Sequence, residues 1–204
     1  MMIKKKRLVF TSTFPRWKND TIPPFVYELS KRLTKEFDVY VLTPMFPGAE
    51  KEEVTDKMKV HRFRYFFKKY ETLAGSGGIL PTLNKNRWNY FKVPFFMFGE
   101  YFALKKAIRK IKPDVIHAHW IIPQGFIASL VKRKTGVEYV VTTHGGDIYG
   151  LQGKLSRYMK KYTLKNAKKI TVVSNAIKKE ILKKINKDLK IEVIPMGVDS
   201  KLFN

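Results

Sequence analysis

The chain holds four histidines and no cysteine. Nucleophiles and metal ligands must therefore come from imidazole, hydroxyl or carboxylate groups, and disulfides, thiolate zinc sites and iron–sulfur clusters are excluded. His117 and His119 end the apolar run Asp114-Val115-Ile116-His117-Ala118-His119 and precede Trp120. In a strand, residues at i and i+2 share one face. His117 then reads as a hydrogen-bonded histidine under a helix, while His119 and Trp120 stand where the strand runs out and a ligand can be met. Metal ligation by the pair is disfavoured, because no carboxylate cluster accompanies it. The sharpest local signal is Thr143-His144-Gly145-Gly146-Asp147. Two bare glycines beside a histidine allow close backbone approach to a ligand and offer amide donors, with Asp147 placed to cap the next turn of chain. A tight turn with a surface histidine accounts for the same residues. Ser174 is of helix N-cap type and could meet a phosphate or cap the helix alone.

The elements that must deliver these residues alternate along the chain. Strands are predicted over 6–12, 39–42, 60–67, 114–119, 138–143, 169–173 and 190–194, from short apolar, β-branched runs closed by turn residues. Pro23-Pro24 suits a helix start, and Val26, Leu29, Leu33 and Phe37 come after it on one helical face. Further helices are predicted over 90–111, 123–134 and 154–166 and after Ser174, where Ile177, Ile181, Leu182 and Ile185 mark a face. Residues 45–58 read as a charged excursion. Residues 68–89, with Gly75-Ser76-Gly77-Gly78, read as a long mobile loop. The strands after Asp114 are nearly continuous apolar runs, as in a sheet covered on both sides. The fold class is therefore α/β, a doubly wound Rossmann-like parallel sheet with helices on both faces. Ligands of such sheets bind outside the carboxyl ends of the strands, where the histidines fall.

Length and composition bound the function. At 204 residues and 44% hydrophobic content, the chain can build one real core, with the domain expected over 1–194 and the start of a linker at 195–204. The formal charge of +24 points to anionic partners: nucleic acid, a phospholipid surface or phosphate-bearing substrates. No Gly-x-Gly-x-x-Gly follows the first strand, and the second ends in Thr43-Pro44 without an acidic residue for a ribose, which disfavours a dinucleotide cofactor. The basic N-terminus lacks the apolar stretch of a signal peptide, and no run reaches the roughly 20 residues of a spanning helix. The expected location is cytoplasmic, with contact at the inner membrane face. Lysine richness without cysteine fits a thermophile.

Several segments together resemble glycosyltransferase family 4, retaining enzymes of the GT-B fold. They are Phe14-Pro15…Pro23-Pro24-Phe25-Val26, Pro113 through Trp120, Thr143 through Asp147, and Ile194-Pro195-Met196-Gly197-Val198-Asp199…Phe203, in the family's order. The resemblance implies the N-terminal, acceptor-side half of a two-domain enzyme that moves a sugar from a nucleotide-sugar to a glycan or lipid-linked acceptor, with the C-terminal donor domain absent and the fragment inactive alone. It implies His144 at the reaction centre, as a base or as a sugar-positioning group. Gly145 and Gly146 border the same pocket, Trp120 matches a position that often contacts the acceptor, and Arg157 sits near an anionic-acceptor position; Asp147 and His119, read from their own places at the strand ends, complete the candidate substrate-binding set. Arg16-Trp17-Lys18-Asn19-Asp20 stands where many relatives carry a Gly-Gly pair that meets the diphosphate, and Arg16 is the candidate substitute. No cofactor or metal is implied beyond the nucleotide-sugar substrate.

Residues 57–110 hold 13 Lys/Arg against Glu71 and Glu100, and 13 of the chain's 28 aromatics. Arg62, Arg64, Lys68, Lys69, Arg87 and Trp88 are its candidate anion-facing residues. An anionic membrane surface, with rings at headgroup level, is preferred over nucleic acid, because no RNA- or DNA-binding motif accompanies the charge. Buried rings with solvated lysines would produce the same composition. The rival to an enzyme is accordingly a basic α/β module that binds nucleic acid or anionic membrane without chemistry.

Overall fold

The computed structural model describes residues 4–20, 22–75 and 77–197. Among these residues eight strands form one sheet: β1 (Lys5–Phe10), β2 (Phe37–Pro44), β3 (Glu52–Thr55), β4 (Met58–Phe63), β5 (Val115–His119), β6 (Tyr139–Thr143), β7 (Lys169–Val172) and β8 (Ile191–Val193). Their order across the sheet is β3-β4-β2-β1-β5-β6-β7-β8. All neighbours are parallel except β3 on β4. Among the described residues seven α-helices accompany them: α1 (Phe25–Leu33), α2 (Ile79–Lys85), α3 (Lys92–Ile111), α4 (Phe126–Thr135), α5 (Gly146–Tyr149), α6 (Lys154–Asn166) and α7 (Asn175–Lys184). The chain winds outward from β1 through β2 and β4, then returns to place β5 on the other side of β1. The topological switch therefore lies between β1 and β5, where open sheets leave a crevice at their carboxyl ends.

Alternation along β1 explains why both faces are covered. Leu8 and Phe10 join a core with Leu42, Phe96, Leu104 and Ile116, whereas Val9 joins Phe14, Val26, Val39, Val41 and Met58 on the α1 side. The expected doubly wound sheet is what the structure shows.

Several expectations differ. Helix α1 stops at Leu33, and Phe37 begins β2. Leu33 and Phe37 pack against the same core cluster from two different elements, so their spacing imitates one helical face. The charged excursion contains β3, an edge strand whose exposed Glu52 meets His61 at 3.0 Å, a charged side chain of the kind that blunts sheet edges. The expected loop over 68–89 contains α2 and short helical turns at Lys68–Tyr70 and Arg87–Phe91. A seven-residue helix is too short for hydrophobic periodicity to declare it; it is held by buried Leu83. Helix α4 begins at Phe126, after an irregular turn over Ile121–Gly125.

Arg62 is fully buried. Its guanidinium donates to the carbonyls of Glu50 (2.8 Å) and Pro15 (2.7 Å) and pairs with Glu53 at 2.6 Å. It thus ties β4 to the loop after β1 and to the β3 edge, and it does not belong to the anion-facing surface expected of it. Truncating a buried charged donor strands its partners. Arg62→Ala should destabilise the chain by about 3 kcal/mol, read as a lower midpoint in urea unfolding.

Candidate active site

The carboxyl ends of β5 and β6 bring three histidines together. On β5, His117 and His119 do share a face, and their rings stack at 4.4 Å. His117 Nε2 lies 2.7 Å from Thr142 Oγ1, which is itself 2.6 Å from Thr171 Oγ1. His119 is fully buried. Its Nδ1 meets His144 Nε2 at 3.0 Å, with the two rings nearly parallel. His119 therefore touches no ligand directly. It orients His144, which corrects the direct contact expected from its place at the strand end. His144 is half-buried at the rim, flanked by the rings of Phe25 and Trp120, each with its centroid 4.8 Å away.

Burial is the main reason these imidazoles resist protonation. The pKa of His117 falls to about 3 and that of His144 to about 4, while that of His119 lies well below its ordinary value. All three are neutral near pH 7. In the His119–His144 bond one ring donates and the other accepts; among the described residues Nδ1 of His144 has no protein partner, and neither do the buried Nε2 of His119 and Nδ1 of His117. These lone pairs and protons face each other, not a common cation, and among the described residues no group of three or more His, Asp or Glu could hold a metal ion.

The neighbouring backbone is shaped by special conformations. Trp120 follows β5 at φ +71°, a left-handed value uncommon for a bulky residue. Gly145 adopts φ +99°, and a Cβ there would press to 3.3 Å from Ile177 Cδ1, so the turn after His144 needs glycine. Around Gly146 the position of a Cβ is open space. Asp147 is buried and accepts from the Ile121 amide at 2.6 Å and from the Thr143 hydroxyl. Burial raises its pKa while these donors oppose the rise. Its oxygens are already engaged, so it locks the turn after β5 onto the end of β6. Lys160 is also buried and donates to the carbonyls of Ile148 (3.1 Å) and Leu151 (2.6 Å), which fixes the path from α5 to α6.

A cavity of about 220 Å³ opens beside this cluster. Ser12, Thr13, Trp120, Gly146 and Asp147 line its sheet side, and Leu80, Leu83, Val93, Phe96 and Met97 of α2 and α3 line the other. The wall is overwhelmingly apolar. Trp120 joins the two regions, since its ring lines the cavity and packs on His144.

The remaining candidates scatter. Arg16 is buried, with its Nε–Nη2 edge held by Asp20 at 2.8 and 2.6 Å and its guanidinium lying over the rings of Trp17 and Phe46. The Asp20 pKa drops to about 2 through that hydrogen bond. The fork that would take a phosphate already holds a carboxylate. Arg64 pairs with buried Glu71 at 3.0 Å. Arg157 is exposed on α6, and no hydrogen bond or ion pair among the described residues joins it to the histidines. Ser174 caps α7 through the Ile177 amide at 3.3 Å. Lys68, Lys69, Arg87 and Trp88 are exposed. Pro195, Met196 and Gly197 come after β8, while Val198, Asp199 and Phe203 of the last motif lie outside the described residues. Sequence reasoning missed the ring of Phe25 on His144 and the α2–α3 wall of the cavity. Only the placement of Phe25 after a Pro-Pro helix start hinted at the first, and nothing local signals the second.

The family model for Glycosyltransferase Family 4 matches residues 24–202. The chain belongs to this family. A 103-residue stretch is 32% identical to an uncharacterised glycosyltransferase of Methanocaldococcus jannaschii, covering 50% of this chain and 28% of that relative. The fold resembles sucrose-phosphate synthase from Thermosynechococcus elongatus (TM-score 0.71, 16% identity, 98% of this chain and 50% of that one). It also resembles HepE from Anabaena, solved in complex with UDP (TM-score 0.57, 14% identity, 97% and 46%). The chain thus spans about half of these solved structures, and the matched stretch spans just over a quarter of the archaeal relative. The sheet is that of a GT-B N-terminal domain.

Histidines buried in the neutral form make the unfolded chain the better proton acceptor below the ordinary histidine value near 6.5. Stability should therefore be fully present above about pH 6.5 and decline as pH falls towards the folded values of about 4 and 3. In His117→Gln this decline should shrink by on the order of 1–3 kcal/mol, measured as the difference between urea midpoints at neutral and acidic pH.

Proposed function

We propose that the chain is the acceptor-side half of a retaining glycosyltransferase that moves a sugar from a nucleotide-sugar to a glycan or lipid-linked acceptor. The observation that carries this reading is His144, held at the carboxyl rim by His119, beside the topological switch and next to an apolar cavity. A retaining transfer develops positive charge at the sugar carbon as the diphosphate leaves, so it needs orientation and electrostatic matching more than a strong base. A neutral His144 can hydrogen-bond a sugar hydroxyl through Nδ1 without repelling that charge. Its bond to His119 and its packing against Phe25 and Trp120 limit the ring to one orientation.

The apolar cavity suits the hydrophobic portion of a lipid-linked acceptor, whose hydroxyl end would then lie towards Trp120 and His144. No described residue at the rim presents a free guanidinium fork to a diphosphate, since that of Arg16 is engaged. In this reading the diphosphate is gripped by a second domain facing the crevice. That agrees with a chain spanning half of the solved synthase. No cofactor or metal enters beyond the donor substrate.

His144→Ala in the full-length protein should lower sugar transfer from the nucleotide-sugar by about 10²- to 10⁴-fold with the thermal midpoint little changed. The 204-residue chain alone should turn over no donor. Transfer by this chain at the rate of the full-length protein, or an unaltered rate in the His144 variant, would overturn the reading.

A further inference from the structure

Helix α3 faces the core with one side only. Phe96, Glu100, Leu104, Ala107 and Ile108 are buried. Gly99 lies so close to Tyr65 that a Cβ would come within 2.8 Å of that residue's Cβ. The opposite side carries Phe95, Phe98 and Phe102, continuing from Phe91 at the spacing i, i+4, i+7, i+11 of one helical stripe. These four rings are 66% (Phe91), 44% (Phe95), 64% (Phe98) and 62% (Phe102) exposed. Phe66 packs on Phe67, Phe91 and Phe95 with centroids 5.1, 6.5 and 5.2 Å apart, which joins the exposed Phe67 to the stripe. Single exposed apolar residues are ordinary, but a contiguous aromatic face is an interaction surface.

Charge frames this face. Lys106 and Arg109 continue it towards the helix's C-terminal end, and Lys68, Lys69, Lys85 and Arg87 are exposed in the segments that lead to it. Between residues 57 and 112 the only acids are Glu71 and Glu100, and both are fully buried. The segment therefore presents cations with no exposed carboxylate of its own. The rings span about three turns with no cation between them on that side, so they match a continuous apolar medium better than a file of bases, each of which brings a phosphate. Two copies packed through this face would bring like charges together. No helix among the described residues is long and apolar enough to cross a membrane, so α3, ~30 Å long, would lie along one.

We propose that the outer face of α3, with the turns at residues 67–70 and 87–91, docks on an anionic lipid bilayer, its rings entering the headgroup boundary and its cations meeting lipid phosphates. This does not depend on the transfer chemistry. The test is co-sedimentation of the 204-residue chain with vesicles of phosphatidylcholine alone and of equimolar phosphatidylcholine and phosphatidylglycerol. The expected result is binding to the anionic vesicles only, weakened by salt. The triple variant Lys68→Gln, Lys106→Gln, Arg109→Gln should lose about a hundredfold in affinity. Phe95→Ser, Phe98→Ser and Phe102→Ser together should lose about as much or more, with circular dichroism unchanged. Quenching of Trp88 emission by brominated phosphatidylglycerol, absent in Trp88→Phe, reports the same docking without altering α3. Vesicle binding indifferent to both triple variants overturns the proposal. So does self-association abolished by the serine variant in a chain that ignores vesicles, or RNA capture by such a chain.

Discussion

Two imidazoles taken out of water at the ends of neighbouring strands each need a partner that only the protein can supply, and here each supplies the other. The His119–His144 bond spans 3.0 Å between β5 and β6. His119 in turn stacks on His117, which is bonded to Thr142 and through it to Thr171 on β7. The orientation of one half-exposed ring at the rim is thereby set by side chains from three adjacent strands. Burial keeps all three rings neutral, so the cluster adds no positive charge of its own at the crevice.

The loops around this rim are held by the same kind of contact. Backbone groups that leave a sheet lose their ladder partners, and a buried side chain can replace them. Asp147 takes up the Ile121 amide, Lys160 reaches the carbonyls of Ile148 in α5 and of Leu151 after it, and Arg62 reaches those of Pro15 after β1 and of Glu50 before β3. Gln124 donates to buried Glu100 at 2.6 Å, joining the turn before α4 to α3. Burial pushes the Glu100 pKa well above its usual value, while the Gln124 donor opposes the rise. A strained Trp120 and a left-handed Gly145 sit inside this framework.

Helix α3 belongs to both functional regions. Val93, Phe96 and Met97 line the cavity, while Phe95, Phe98 and Phe102 face outward. In the proposed reading, one element forms both the wall of the pocket that takes an apolar chain and the surface that meets the lipid phase from which such a chain would come.

Much of this architecture is legible in the residues. Local propensity and period are short-range properties, so the β5, β6 and β7 runs, the α6 span, the Ser174 cap and the doubly wound parallel class can be read from sequence. So can the His144-Gly145-Gly146 turn, because glycine chemistry is local. Other features depend on what lies across space. The Leu33–Phe37 spacing looks helical until two elements are seen to share one core cluster. Arg16 and Arg62 look like anion contacts until Asp20 and Glu53 are found beside them, and His119 looks like a ligand contact until His144 closes over it. The phenylalanines of α3 read equally as core or surface in one dimension. Composition fixes how much apolar and cationic material the chain carries, but only tertiary packing decides which side of a helix the sheet covers and which it leaves to a partner.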